Sequence, residues 1–207
     1  MRNKLLLATN NQGKVREYKS LLQALPFELV TLAELDIATT VNEVGESLEE
    51  NARMKATVLA AKSQLLALAD DSGLEVDALG GEPGWLSARY AGEGASDRDR
   101  VNYLLARLTG IPWEQRTARF KCVIAIATPH GKIELCTGEC GGFITFEPRG
   151  KQGFGYDPLF YLPQLNKTMA ELSLEEKNQV SHRGQAARKV YQALERLKGS
   201  KYTGQNY

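Results

Sequence analysis

The segment Gly153-Phe154-Gly155-Tyr156-Asp157-Pro158, with Glu176-Lys177 and Ser181-His182-Arg183-Gly184 downstream, concentrates several kinds of chemistry in one part of the chain. Glycines let a backbone approach a ligand closely. The Phe154 ring offers a face on which a planar base can stack, and Asp157 adds a carboxylate. Lys177, His182 and Arg183 supply donors for phosphate or for a carbonyl oxygen. Together these groups suit a nucleotide held by its base and its phosphates. The alternative is a glycine-rich hairpin followed by the solvated start of a helix.

Two further clusters point the same way. Thr9-Asn10-Asn11-Gln12-Gly13-Lys14 lies between an apolar run and a helical pattern. A helix start presents unpaired N–H groups and the positive end of a dipole, so it favours an anion, and Lys14 adds a full charge. The spacing departs from a P-loop, which needs glycine at Ala8 and serine or threonine at Val15. That argues against a Walker-type ATPase and leaves either another phosphate-binding turn or ordinary turn chemistry, which also selects Asn and Gly. Asp70-Asp71-Ser72-Gly73 follows an apolar run. Neighbouring carboxylates there can hold Mg²⁺ and orient a water, or they can form a solvated turn or a helix cap. Asn51 and Lys55 share one helical face, which spacing alone reads as an exposed polar stripe. Taken together, Lys14, Lys55, Lys177 and Arg183 are expected to converge with Asp71 and a metal around a triphosphate, with Phe154 under the base.

The elements that must position these residues alternate between short strand-like runs and helical patterns, which predicts an α/β protein. Leu5 to Ala8 reads as a buried strand, followed by a helix from about Lys14 to Leu25 that stops near Pro26. Ser47-Leu48-Glu49-Glu50 has the form of a capping box opening a helix to about Leu66. Leu65 to Ala69 then leads into a turn at Asp70-Asp71-Ser72-Gly73. Ser96-Asp97-Arg98-Asp99 caps a helix that ends near Gly110. Thr117 to Thr128, Lys132 to Cys140 and about Gly142 to Glu147 read as three strands in antiparallel hairpins. A last helix is expected from Ser181 to about Lys198, and residues 199–207 read as a frayed tail. The sheet should therefore be mixed rather than purely parallel.

Composition narrows the partners. The 207 residues suit one domain, 1–198, of two lobes, with the tail beyond it. The 26 Lys and Arg against 25 Asp and Glu leave no concentrated positive face of the kind a nucleic acid polymer requires. A mononucleotide needs none. No run approaches the roughly 18 apolar residues of a membrane helix. The apolar stretch Leu5-Leu6-Leu7-Ala8 is too short for a signal peptide, so a cytoplasmic location without membrane attachment is expected. Cys122, Cys136 and Cys140 are odd in number, and Cys136 and Cys140 lack a second metal-ligand pair. Reduced thiols are the expectation.

With these motifs in order, the chain resembles the non-canonical purine NTP pyrophosphatases, the inosine/xanthosine triphosphate pyrophosphatases. The resemblance runs from Leu6 to about Leu197. It rests on Ala8 to Lys14, Glu50-Asn51-Ala52 with Lys55-Ala56, Ala69 to Leu74, Pro83-Gly84 with Ser87-Ala88-Arg89-Tyr90, Gly153 to Pro158, and Ser181 to Gly184. It implies hydrolysis of a purine nucleoside triphosphate between its α- and β-phosphates, with Mg²⁺ as cofactor. It also implies a homodimer and an elongated mixed β-sheet whose flanking helices form two lobes around a central cleft. In the family's pattern the position of Asp71 is the proton acceptor and a metal ligand. Thr9, Asn10, Asn11, Gln12, Gly13, Lys14, Ser72, Phe154, Gly155, Tyr156, Asp157, Lys177, His182 and Arg183 match its substrate-binding positions.

Inosine and xanthosine carry a keto oxygen at position six where adenosine carries an amino donor. Arg183 or His182 donating to that oxygen would accept the former and clash with ATP, and sites of this kind discriminate by about 10⁴–10⁵. Two departures stand out. A second metal ligand falls near Asn42 and Glu43, with Glu43 the candidate. The loop Pro83-Gly84-Trp85-Leu86-Ser87 has Trp and Leu where an aliphatic residue and Tyr are usual. The rival readings are a Maf-like pyrophosphatase for other modified nucleotides and a nucleotide sensor without turnover.

Overall fold

In a computed structural model of the chain, which describes residues 3–38, 41 and 44–199, the leucine run at the N-terminus forms β1 (Asn3–Leu7). Leu5, Leu6 and Leu7 are completely buried, as befits a strand hydrogen-bonded on both edges. The chain continues through α1 (Gln12–Leu21), β2 (Phe27–Thr31), α2 (Leu48–Ser63) and β3 (Leu66–Val76), then β4 (Pro83–Gly84), α3 (Asp97–Arg107), β5 (Thr117–Ala127) and β6 (Ile133–Ile144). It closes with β7 (Phe160–Leu162), β8 (Lys167–Thr168), α4 (Leu174–Val180), α5 (His182–Ala187) and α6 (Val190–Gly199).

The strands make one open, mixed eight-stranded sheet in the order β2-β1-β3-β5-β6-β7-β8, with β4 on β3. β1 lies parallel to both β2 and β3, with Leu5 opposite Leu29 and Leu66. The pairs β3–β4, β6–β7 and β7–β8 are antiparallel. The turn between β5 and β6 is closed by Thr128 N donating to Lys132 O at 2.9 Å and Gly131 N donating to Thr128 O at 3.0 Å.

Two compact units divide the chain. The first holds 1–71, 123–137 and 186–207, the second 72–122 and 138–185, so the division falls within β3, β5, β6 and α5. Each has its own apolar core. In the first, Ala52, Ala56, Leu59 and Ala60 of α2 pack with Leu6, Ala67, Ala69, Ala125 and Ala127 of the strands. Alanine at so many contact positions lets the helix lie close to the sheet, which matters for the residues α2 carries. In the second, Val101, Leu104 and Leu108 pack with Leu74, Phe120, Ile144, Tyr156 and Phe160. Burying one such leucine stabilises by about 1.5–3 kcal/mol.

Several elements differ from expectation. Asp70-Asp71-Ser72-Gly73 is not a turn but the middle of the 11-residue β3. The carboxylates find lysine partners, so the strand runs through them to the buried Leu74 and Val76. The strands expected at 132–140 and 142–147 are one strand, β6. Gly142 stays within it because its backbone packs against Tyr161 O, where a Cβ would sit 2.4 Å away. The expected last helix is two, parted where Lys189 N donates to Ala186 O at 3.1 Å in a tight turn. α1 begins two residues earlier than expected, on Asn11 as cap, and ends at Leu21. Ser47 caps α2 by accepting from Glu50 N at 3.1 Å, but the Glu50 carboxylate accepts from Glu46 N at 2.8 Å, so the reciprocal half of the box does not close on Ser47.

Candidate functional site

In the first unit the site grows from the meeting of β1, α1, α2 and β3. Thr9 and Asn11 shape the turn: Asn11 N donates to Thr9 Oγ1 at 3.2 Å, and Asn11 Oδ1 accepts from Lys14 N at 3.1 Å. Asn10, Asn11 and Gln12 are exposed, and Gly13 and Lys14 half-buried. α1 starts at Gln12, so the turn leads directly into the positive end of a ten-residue helix. Lys14 Nζ lies 3.0 Å from Asp70 Oδ1, with Asp70 almost fully buried.

α2 supplies the second half. Lys55 Nζ donates to Asp71 Oδ1 at 3.0 Å and to the Asp70 carbonyl at 2.8 Å. Asn51, fully buried, donates from Nδ2 to Asp71 Oδ2 at 3.3 Å while its Oδ1 accepts from Gly45 N at 2.9 Å. The exposed-stripe reading of Asn51 and Lys55 is therefore overturned. The alanines of α2 bring both side chains down onto β3. Two buried carboxylates are each matched by a lysine, which removes the cost of leaving a buried charge alone.

The second unit holds an aromatic and cationic set. Lys177 Nζ lies 4.9 Å from the Phe154 ring centroid and the Arg183 guanidinium 5.3 Å from it. Lys177 also forms a buried ion pair with Asp157 Oδ2, an atom that accepts from Phe154 N at 2.8 Å. Arg183 Nη2 donates to Ser72 Oγ at 2.8 Å. His182 stacks on Phe120 with centroids 4.6 Å apart and planes 14° from parallel, which fixes its ring plane. Gly153 has φ of +74°, and a Cβ there would sit 2.0 Å from Asp157 Oδ2. This turn needs glycine. Gly184 allows α5 to follow α4 closely, since a Cβ would meet Asn178 O at 1.9 Å.

Tyr156 differs from its neighbours. It is buried, and its hydroxyl donates to the Ser87 carbonyl at 3.0 Å. Burial pushes its pKa well above the ordinary tyrosine value, so the donor proton stays in place.

Residues 5–193 match the model of the Ham1 family. The chain belongs to the Ham1 family. Among its relatives, it is 51% identical to a dITP/XTP pyrophosphatase of Desulforamulus reducens, over 94% of this chain and 96% of the relative. It is 52% identical to one of Geobacter sulfurreducens, over 88% of this chain and 92% of the relative. Among solved structures, a HAM1 protein from Coxiella burnetii superposes with a TM-score of 0.84 at 40% identity, covering 94% of this chain and 99% of that one.

For a divalent cation, this Ham1-family chain offers the hard carboxylate oxygens of Asp70 and Asp71. Among the described residues no group of three or more acidic, histidine or cysteine side chains could hold a metal. Glu43 lies outside the described residues. As neighbours on β3 the two carboxylates point to opposite faces, so the fit to Mg²⁺ rests on Asp71 alone, since the ion is commonly held by one or two carboxylates while phosphate oxygens and water complete the shell.

Sequence reasoning passed over Asp97 and Arg100, which contact the Phe154 loop and its surroundings. Gly155 N donates to Asp97 Oδ2 at 2.7 Å. Nothing but the capping signature at Ser96–Asp99 drew the eye to that stretch.

Proposed function

We propose that this protein is a pyrophosphatase of non-canonical purine nucleoside triphosphates, acting on ITP, dITP and XTP to give the monophosphate and pyrophosphate. It thereby removes these nucleotides before they enter DNA or RNA. The observation that carries the reading is Asp71, a buried carboxylate on a rigid strand, held by Lys55 and Asn51. Family membership and the dITP/XTP pyrophosphatase relatives support it. Phosphoryl transfer needs an oriented nucleophile and neutralised charge more than covalent chemistry. Asp71 accepts the proton of the attacking water. Lys14 and Lys55 neutralise the phosphates, aided by the N–H groups of the Thr9–Lys14 turn. Asp71, with Glu43 as a second ligand, would hold Mg²⁺, which would supply further neutralisation of the triphosphate.

Phe154 carries the base, and Gly155, Tyr156 and Asp157 hold that platform in shape. Ser72, Lys177, His182 and Arg183 complete the purine site, with Arg183 or His182 donating to the keto oxygen at position six. The working unit is a single domain, 1–198, acting as a homodimer in the cytoplasm. No described helix is long and apolar enough to cross a membrane.

The test is pyrophosphate release with Mg²⁺ from ITP, dITP, XTP, GTP and ATP in parallel, with a metal-free control. Fast turnover of the first three, formation of monophosphate and near-silence with ATP are expected. Turnover indifferent to the base would overturn the role given to Arg183 and His182. Turnover of none would overturn the function.

A further inference from the structure

We propose that Asp97 is a positioning residue for the purine platform, setting the place of Phe154 through the backbone of Gly155. The inference rests on the nucleotide reading of the Phe154 set and deepens it.

Phe154 sits in a loop tied from within where Phe154 N donates to Asp157 Oδ2 at 2.8 Å. Gly153 and Gly155 both have positive φ, +74° and +62°, a region open to glycine at little cost. Such a pair lets the chain adopt the required turn but does nothing to hold it there. A further hold comes from outside the loop. Asp97 is the first residue of α3, 58 positions away in sequence, and its Oδ2 accepts from Gly155 N at 2.7 Å. A carboxylate accepting from a backbone N–H is among the stronger hydrogen bonds a protein makes.

Asp97 is itself held at two levels. The first turn of α3 is locked by a full capping box between Ser96 and Asp99 that does not use Asp97. The other oxygen, Oδ1, is paired with Arg100. Arg100 in turn donates from Nη1 to the carbonyls of Ala88, at 2.9 Å, and Ala95, at 2.7 Å. The loop next to α3 thus anchors the guanidinium, the guanidinium orients the carboxylate, and the carboxylate grips the Gly155 amide. A second tie runs from Tyr156 to Ser87, the neighbour of Ala88. The two residues following Phe154 are therefore fastened to the same stretch of chain, one by its amide and one by its hydroxyl. The ring they position is the one on which Lys177 and Arg183 lie.

Asp97 touches neither the base nor the phosphates in this account. Its loss should weaken nucleotide binding while sparing the chemical step, because a displaced platform removes binding common to ground and transition states. The experiment is steady-state kinetics with ITP on wild type, Asp97→Ala, Asp97→Glu and Asp97→Asn, with hydrogen exchange at the Gly155 amide and Tm for each. Alanine should raise KM about tenfold or more with kcat within about twofold, and should speed exchange at Gly155. Asparagine keeps an acceptor oxygen in place and should restore KM to within about threefold of wild type. Glutamate keeps the charge at the helix start but moves the oxygen, so KM should rise with Tm unchanged. Should alanine prevent folding, the glutamate and asparagine pair decides. Equal, wild-type-like KM values for both overturn the proposal, as does an alanine variant that loses kcat alone. A wild-type enzyme silent on every nucleotide is a different failure, since it removes the nucleotide reading on which this inference stands.

Discussion

The two units share a buried carboxylate–lysine pair and differ in what surrounds it. In the first, Asp70 and Asp71 each meet a lysine, and all four groups stand on or beside regular elements: Asp70 and Asp71 on β3, Lys55 on α2, Lys14 in the first turn of α1. In the second, Lys177, itself paired with Asp157, and Arg183 lie over an aromatic ring, and the ring belongs to a glycine-bounded loop held by one hydrogen bond from within and one from α3. The groups assigned to bond-making sit where the backbone can move least. Of the groups assigned to recognition, Lys177, His182 and Arg183 also stand on helices, α4 and α5, while Phe154 rides on the loop. Sites on strands and helices are the more exactly placed, and proton transfer tolerates misplacement less than stacking does.

That contrast can be broken at Asp71. Asp71→Asn should lower kcat for ITP by about 10³ or more while leaving nucleotide binding measurable by calorimetry. Undiminished pyrophosphate release would remove Asp71 from the chemistry. Next in size is Lys55→Met, which takes from the buried Asp71 its cationic partner. Side-chain exposures of 12% and 9% place the pair in the range where breaking it costs about 3 kcal/mol. Urea unfolding reads this, and a loss below about 1 kcal/mol would mean the pair behaves as a surface one.

The recognition half should answer differently. Phe154→Leu removes the stacking face and should raise KM for ITP about tenfold with kcat nearly kept, because base stacking contributes about 1–3 kcal/mol. A kcat loss like that of Asp71→Asn would erase the division of labour. The smallest effect compares the two cores through their thiols, Cys136 in the first unit and Cys140 in the second. Burial disfavours the thiolate and pushes both up to about 11. Both therefore stay protonated at pH 8, with on the order of 10⁻³ as thiolate. Iodoacetamide should label neither in the native protein, and labelling should rise as pH approaches 11 or as denaturant opens each core. Rapid labelling of one alone at pH 8 would show that its core is not closed.

Much of this could be read in the sequence. The leucine run of β1, the Asn11 turn and the Ser96 cap are local signals, and local signals survive folding. The Phe154, Lys177 and Arg183 cluster was also visible, because residue type alone suggests what such side chains can do. The failures share a cause. Asp70-Asp71-Ser72-Gly73 looks like a turn because charge and glycine normally stop a strand, and only Lys14 and Lys55, far away in sequence, make it a strand. Asn51 and Lys55 looked exposed because helical spacing cannot say which face meets a sheet. The split between α5 and α6 falls in Gln185-Ala186-Ala187-Arg188-Lys189, which contains neither proline nor glycine to announce it. Conversely, Ser173-Leu174-Glu175-Glu176 carries the same signature as Ser47-Leu48-Glu49-Glu50, yet it is Ser173 whose box closes fully.

The buried amide of Asn51 has a consequence for how this protein ages. Its two ends are not interchangeable: the oxygen accepts from Gly45 N and the nitrogen donates to Asp71. Spontaneous deamidation would turn the donor into a second carboxylate facing Asp71. Like charges that close cannot both remain ionised cheaply, so one would take up a proton. The lesion would scarcely change the molecule's mass, yet it would disarm the residue proposed to take the proton of the attacking water. Deamidation begins when the following backbone nitrogen, that of Ala52, attacks the side-chain carbonyl, and the α-helical backbone of α2 holds that nitrogen out of line. The helix that aims the amide at Asp71 is also what preserves it.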